Sequence, residues 1–156
     1  MHNILFVCHG NICRSPMAEF ILKNMAQKQN LIDQFYISSA ATSTEEIWNG
    51  SGNPVYPPAR EELKKHGISC ADKHAVQLKR EDYEKYDYLI GMDSANIRNM
   101  NRILGGDPKG KIYKLLSFAG SDRDVADPWY TGHFDVTYRD IESGCRGLLT
   151  FLMQQV

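Results

Sequence analysis

Apolar residues fall in short bursts along this chain, and their spacing alternates between two periods. Asn3 to Val7, with the continuous apolar run Ile4 to Val7, predicts a buried strand. Ser15-Pro16 then predicts a helix start, because proline costs nothing where the backbone N–H has no intrahelical partner. Ala18, Ile21, Leu22 and Met25 follow at helical spacing. Phe35 to Ser38 predicts a second strand. The stretch 42–59, rich in Gly, Pro, Asn and Ser, predicts a long loop, and long loops in compact domains are usually functional. Ala59 to His66 predicts a short helix closed by Gly67. Residues 78–86 predict a helix, 87–92 a third strand, and Ser94 to Leu104 a helix ended by Gly105-Gly106. Residues 111–116 predict a fourth strand and 120–132 a polar loop. A last helix is predicted from Asp135 to the C-terminus, with Ile141, Cys145, Leu148, Leu149 and Leu152 on one face.

The order β-α-β-α-α-β-α-β-α predicts an α/β single domain spanning 1–156. Its core would be a four-stranded, mostly parallel open sheet with helices on both faces. Ligands of such sheets sit at the carboxyl ends of the strands, which directs attention to the loop after the first strand. The 42% hydrophobic content is enough for one core. Net charge of −1 gives no bulk attraction to nucleic acid or an anionic membrane, so neither is expected as a partner. The N-terminal apolar run is too short for a signal segment or a membrane span, and with Cys8, Cys13, Cys70 and Cys145 as reduced thiols the expected location is cytoplasmic.

The loop reads "CHGNICRS", with Cys8 and Arg14 at the spacing C-x5-R and Ser15 next. A strand-to-helix loop turns backbone N–H groups toward one point, and the helix dipole adds to their field. Gly10 allows a close turn, and Asn11 tolerates left-handed backbone angles. Arg14 supplies a planar fork for two phosphoryl oxygens. A thiolate at Cys8 would be stabilised at the base of this field, in line for phosphoryl transfer, with Ser15 donating to the sulfur. A metal site fails on spacing, and a permanent disulfide does not suit a reducing compartment. A reversible Cys8–Cys13 bond stays open, because both thiols belong to one tight loop. Thiolate attack requires a general acid. Asp122, Asp124 and Asp127 are the candidates. Asp127 is favoured because Pro128 stiffens it and Trp129 and Tyr130 follow, rings that can partly desolvate a carboxylate and stack on an aromatic leaving group.

"VCHGNICRSPMAE" together with "DPWY" resembles the low-molecular-weight protein tyrosine phosphatases, and "SSAATS" and "YDYLIGMDSANIRNMNR" extend the resemblance over essentially the whole length. It implies a Rossmann-like fold of the phosphotyrosine protein phosphatase I type. It implies Cys8 as the nucleophile forming a phosphocysteine, Arg14 on the phosphoryl oxygens, and Asp127 as acid, then base. His9, Gly10, Asn11, Ile12, Cys13 and Ser15 would form the phosphate loop. Asn11, Ser15 and Ser39 would support it, with Ser15 stabilising the thiolate. Cys13 would trap an oxidised Cys8 as a reversible disulfide. Phosphotyrosine proteins would be the substrates and inorganic phosphate the product, with no metal or organic cofactor. Trp48, Trp129 and Tyr130 would wall the pocket.

Three departures from the family pattern stand out. In "DKHAVQ", Lys73 falls where the family usually has histidine, with His74 one residue on, and neither is given a role. The 42–59 loop is about four residues longer than usual. Trp-Tyr follows the aspartate where many relatives have Tyr-Tyr. Relatives acting on phosphoarginine usually carry threonine at the place of Ile12, whose apolar side chain suits a flat ring better than a guanidinium. Phosphotyrosine is therefore expected over phosphoarginine. An arsenate-reductase-type oxidoreductase and a non-catalytic phosphate-binding module compete with the phosphatase reading. The first is disfavoured because 71–144 contains no cysteine to relay a disulfide, and the second because Cys8, Arg14 and Asp127 are all present.

Overall fold

A computed structural model describes residues 1–154. The chain runs β1 (His2–Cys8), α1 (Arg14–Lys28), β2 (Phe35–Ala41), a small hairpin of β3 (Ile47–Trp48) and β4 (Ser51–Gly52), and α2 (Pro57–Lys65). It continues through α3 (Asp82–Lys85), β5 (Tyr88–Gly91), α4 (Ser94–Leu104), β6 (Ile112–Lys114), α5 (Pro128–Thr131) and α6 (Phe134–Met153). Four strands form a parallel sheet in the order β2-β1-β5-β6. The predicted α/β class and the helices on both faces are as observed. Residues 155–156 of the predicted last helix lie outside the described part.

β1 is central, and successive side chains of a strand point to opposite faces. Ile4, Phe6 and Cys8 join the core beneath α1 and α6. Leu5 and Val7 join a second core with Leu89, Met100 and Leu104 on the α4 side. Cys8 is thus the last residue of a buried row, placed where the strand gives way to the loop.

Several element boundaries differ from expectation. Proline at 16 sits in the third rather than the first position of α1, still among the N–H groups that need no intrahelical partner. The predicted loop 42–59 contains the β3–β4 hairpin, whose Asn49-Gly50 turn has φ of 51° and 77°, the geometry that suits a two-residue hairpin. At Gly52 any Cβ would lie 1.9 Å from the Ala75 carbonyl oxygen, so the hairpin packs backbone to backbone on that segment. The helix predicted over 78–86 shrinks to α3, because Leu78 is held extended by a hydrogen bond to the Ala41 carbonyl. The strand predicted over 111–116 stops at Lys114, and a 3-10 turn over Leu115–Ala119 follows. The polar loop 120–132 contains α5.

Candidate active site

The loop between β1 and α1 turns its carbonyls outward. Thr42 N–H donates to Cys8 O at 2.9 Å, Ser43 to His9 O at 3.0 Å, Tyr56 to Ile12 O at 2.8 Å and Met17 to Cys13 O at 3.0 Å. These carbonyls are bound from outside the loop, and no acceptor among the described residues meets the N–H groups of 9–13, which leaves them available to an anion. α1 begins over this bowl with no acidic residue in its first turn, leaving its positive end open to an anion. Asn11 supplies the left-handed step, with φ of 58°. Gly10 is not left-handed. Its missing side chain instead leaves room for Glu46, whose Cγ would stand 3.2 Å from a Cβ there.

Asn11 is fully tied from below. Its Nδ2 donates to Ser15 Oγ at 2.7 Å and to Ser39 Oγ at 3.0 Å, and its Oδ1 accepts from Val76 N at 3.0 Å. Ser39 in turn donates to Glu19 Oε1 at 2.6 Å. Buried polar groups with every partner supplied hold one geometry. At the bowl's floor Cys8 Sγ meets Ser15 Oγ at 3.0 Å and Ser15 N at 3.4 Å.

Arg14 is buried, 2% exposed, and aimed from behind. Nη1 donates to Asp93 Oδ2 at 2.7 Å and to Val125 O at 2.8 Å, while Nη2 lies 3.5 Å from Asp127 Oδ2. Burial works against the guanidinium charge, but Cys8, Asp93 and Asp127 outweigh it and raise the Arg14 pKa above its ordinary value. Asp93 serves two elements: Oδ1 caps α4 by accepting from Asn96 N at 2.7 Å, leaving Oδ2 for Arg14. The late loop is fixed to the sheet where Val125 N donates to Met92 O at 2.9 Å.

The three aspartates separate clearly. Asp124 is bound by Lys114 Nζ at 2.9 Å and by Ser94, and the lysine hydrogen bond pulls its pKa down. Asp122 is exposed, and its carbonyl also goes to Lys114. Asp127 alone of the three lines the cleft over Cys8, a cavity of about 120 Å³. It caps α5 by accepting from Trp129 N at 3.0 Å, so proline at 128 and the cap fix its direction.

His9, Gly10, Ile12 and Cys13 line the same cleft, with Trp129 and Tyr130 on one wall. Trp129 leans on Tyr56 with ring centroids 4.8 Å apart. Trp48 does not line it: on β3, beside the tight hairpin turn, it stands 80% exposed. Its place on the rim is taken by Glu45 and Glu46, which belong to no motif in the sequence. Glu45 faces His9 at 3.1 Å, and Glu46 accepts from Asn53 at 3.0 Å. Cys70 and Cys145 are buried and outside the cleft. Burial first, then the nearby Cys8 and Asp127, push the Cys13 thiol well above its ordinary range. Cys13 is therefore a protonated thiol at neutral pH.

Asp93, which holds Arg14, Glu19, which holds Ser39, and Lys73 beside Glu19 are left without a role by sequence reasoning. Asp93 carries a signal, since an aspartate between a strand and a helix is a helix cap at the ligand-binding edge of the sheet. Among the described residues, no group of His, Cys, Asp and Glu side chains could hold a metal ion, and no helix is long and apolar enough to cross a membrane.

Comparison with known proteins agrees with this geometry. The family model described as low molecular weight phosphotyrosine protein phosphatase matches residues 3–156. The low molecular weight protein-tyrosine-phosphatase YfkJ of Bacillus subtilis is 38% identical over 157 residues, covering 99% of this chain and 98% of the relative. The crystal structure of YfkJ superposes with a TM-score of 0.93, at 37% identity over 99% of this chain and 96% of that one. The crystal structure of a Drosophila arginine phosphatase gives a TM-score of 0.83, at 29% identity over 96% of each chain.

Proposed function

Because the chain belongs to the low molecular weight phosphotyrosine protein phosphatases, we propose that it hydrolyses phosphotyrosine monoesters in proteins through a phosphocysteine intermediate. The observation that carries this reading is the floor of the bowl. There Cys8 Sγ lies 3.0 Å from Ser15 Oγ and 3.4 Å from Ser15 N, and Arg14 and Asp127, 3.5 Å apart, line the same cleft. The loop N–H groups and Arg14 bind the three non-bridging oxygens, which leaves phosphorus facing the sulfur. Sγ attacks, the S–P bond forms as the P–O bond to the tyrosyl oxygen breaks, and Asp127 gives that oxygen its proton. Water then enters on the vacated side, the Asp127 carboxylate takes its proton, and the S–P bond breaks to release inorganic phosphate. The Ser15 hydroxyl, 3.0 Å from Sγ, stabilises the departing thiolate.

Replacing Asp127 by Asn is expected to slow phosphotyrosine hydrolysis by roughly 10²–10³-fold and to slow an activated aryl phosphate much less, since a good leaving group needs little proton donation. Asp124→Asn should leave that leaving-group dependence unchanged. The slope of kcat against leaving-group pKa in each variant decides the assignment.

The substrate reading rests on Ile12, an apolar side chain lining the same cleft as Trp129, which favours a flat ring. Phosphoarginine is the second reading. It draws support from Glu45 and Glu46, whose carboxylates on the rim would suit a guanidinium, and from the likeness to a solved arginine phosphatase. Side-by-side hydrolysis of phosphotyrosine, phosphoserine and phosphoarginine peptides tests this, with arsenate reduction as a control. Phosphotyrosine is expected to exceed the others by at least roughly 100-fold in kcat/KM, and a preference for phosphoarginine overturns the choice. The reductase reading is disfavoured because Cys70 and Cys145 lie outside the cleft.

Cys8 and Cys13 are both free thiols lining the cleft, and the reading extends to a reversible oxidation. Peroxide converts the Cys8 thiolate to a sulfenic acid, and Cys13 displaces its hydroxyl to give the disulfide and water. Cys13 attacks as thiolate, and its pKa is raised far above neutral. Its thiolate fraction, and with it the closure rate, should rise about tenfold per pH unit between about pH 6 and 8. Mass spectrometry of stopped samples checks both the linkage and the slope, and a link to Cys70 instead would contradict the assignment.

A further inference from the structure

Three carboxylates line the cleft over Cys8: Asp127, Glu45 and Glu46. Asp127 is paired with Arg14, whereas Glu45 and Glu46 meet no lysine or arginine among the described residues. The phosphocysteine chemistry uses neither glutamate, yet both are held in place. They are the central residues of a turn closed by Ile47 N, which donates to Thr44 O at 3.0 Å. Glu45 N donates to Ser43 Oγ at 3.2 Å, and Glu45 Oε2 lies 3.1 Å from His9 Nε2. Asn53 holds Glu46 at two points, N to O at 2.8 Å and Nδ2 to Oε1 at 3.0 Å. The Glu46 stem lies over Gly10, where a Cβ would meet its Cγ at 3.2 Å. Its charge is felt inside the loop: burial is the main cause that pushes the Cys13 thiol up, and Glu46 adds to it.

Two carboxylates without a cation, at the mouth of a site for a doubly charged phosphate, work against the phosphate alone. A substrate that brings its own cation to the same rim turns that penalty into attraction, and a repulsive element of this kind is what makes a site selective. Exposure decides where the cation belongs. The Glu45 side chain is 67% exposed, so its carboxylate stands on the solvent side of the cleft. The guanidinium of phosphoarginine is bonded to phosphorus through nitrogen and would sit within the cleft, among Ile12, Cys13 and Asp127. A lysine or arginine beside a phosphotyrosine stays outside the pocket, and its long, flexible side chain reaches across to the rim.

We propose that Glu45 and Glu46 are specificity-determining residues that select phosphotyrosine segments carrying a lysine or arginine within two residues of the phosphotyrosine. This rests on the phosphotyrosine reading above. The pair meets the flanking side chain and not the reacting atoms. That contact is equally strong in the ground state and the transition state, so its effect falls on KM and not on kcat.

The test measures kcat and KM for matched phosphotyrosine peptides that differ at one flanking position, which is Lys, Gln or Glu. The enzymes are the wild type, the double variant Glu45→Gln with Glu46→Gln, and Glu45→Lys. Each enzyme is read as the ratio of kcat/KM between its own peptides, so a general change in activity or in folded fraction cancels. Glutamine at 46 still accepts from Asn53, which keeps the hairpin attached. The wild type should prefer the Lys peptide to the Gln peptide by roughly 5–10-fold, through KM, and disfavour the Glu peptide by a similar factor. In the double variant the preference should shrink below about twofold, as it should for the wild type near 1 M salt, where charges are screened within about 3 Å. Glu45→Lys should turn the preference toward the Glu peptide. A wild type that hydrolyses all three peptides alike overturns the proposal and leaves the phosphotyrosine reading standing. A Lys preference that survives in the double variant also overturns it, since another group then reads the flank. A wild type that hydrolyses phosphoarginine peptides and no phosphotyrosine peptide defeats the substrate reading, and the proposal falls with it.

Discussion

Replacing Cys8 with serine is expected to lower kcat on p-nitrophenyl phosphate by about 10⁵-fold while inorganic phosphate still binds. The size follows from what surrounds the sulfur. Ser15 N donates to it, and Ser15 Oγ lies 3.0 Å away, able to donate to an anion there. Donors stabilise an anion that is already formed, but they cannot take a proton from an alcohol. A thiol forms its anion readily, and a serine hydroxyl in the same place has no base beside it. Phosphate should bind Cys8→Ser at least as tightly as wild type, because the loop N–H groups and Arg14 that would hold it are left in place by the substitution. Isothermal titration with phosphate, paired with turnover on an activated ester, separates the two effects. Turnover within about 100-fold of wild type would place the nucleophile elsewhere.

The parts of the site that can be read from sequence are those contiguous in it. Cys8 through Ser15 lie on one strand end, one loop and one helix start, so spacing alone brings them together. Asp127 is favoured by its local chemistry with Pro128, but the choice over Asp124 needs Lys114, ten residues before the rival carboxylate and on a strand, to bind it. Asp93 reaches Arg14 only because β5 lies beside β1, and neighbour order in a parallel sheet is not written in any window of sequence. Glu19 and Lys73 escape for a related reason. Each reads as an ordinary surface charge until the turn at Asp72 and the packing of α1 bury them together. Trp48 shows the reverse: the resemblance implies an aromatic pocket wall in this loop, while the Asn49-Gly50 turn makes the segment a hairpin that leaves the ring exposed. The strand predicted over 111–116 fails through packing. Leu115 and Leu116 are apolar enough for a strand, but Leu115 lies against Gly144 of α6, where a Cβ would stand 2.5 Å from its Cγ, and the chain turns to seat it.

Arg14→Lys should lower kcat/KM by roughly 10³-fold, about 4 kcal/mol of transition-state stabilisation, although the formal charge is kept. The guanidinium divides its donors between two tasks. Nη1 is committed to Asp93 Oδ2 at 2.7 Å and Val125 O at 2.8 Å, and this leaves the other edge of the same rigid plane for the phosphoryl oxygens. A lysine ammonium places three donors around a single point, so a nitrogen close enough to satisfy Asp93 and Val125 is turned away from the bowl, and one reaching the phosphate strands a carboxylate at 21% side-chain exposure. Both arrangements lose the bidentate hold that fixes phosphorus in line with the sulfur. The inhibition constant of inorganic phosphate should therefore weaken roughly 10–100-fold, in contrast to Cys8→Ser, where it holds or tightens. That opposition distinguishes a residue that binds the oxygens from one that attacks the phosphorus. A lysine variant with more than a tenth of wild-type kcat/KM and unchanged phosphate inhibition would mean that the loop N–H groups alone hold the anion. In that case the Asp93–Arg14 pair, whose arginine is 2% exposed, would serve to lock the late loop carrying Asp127 onto the sheet.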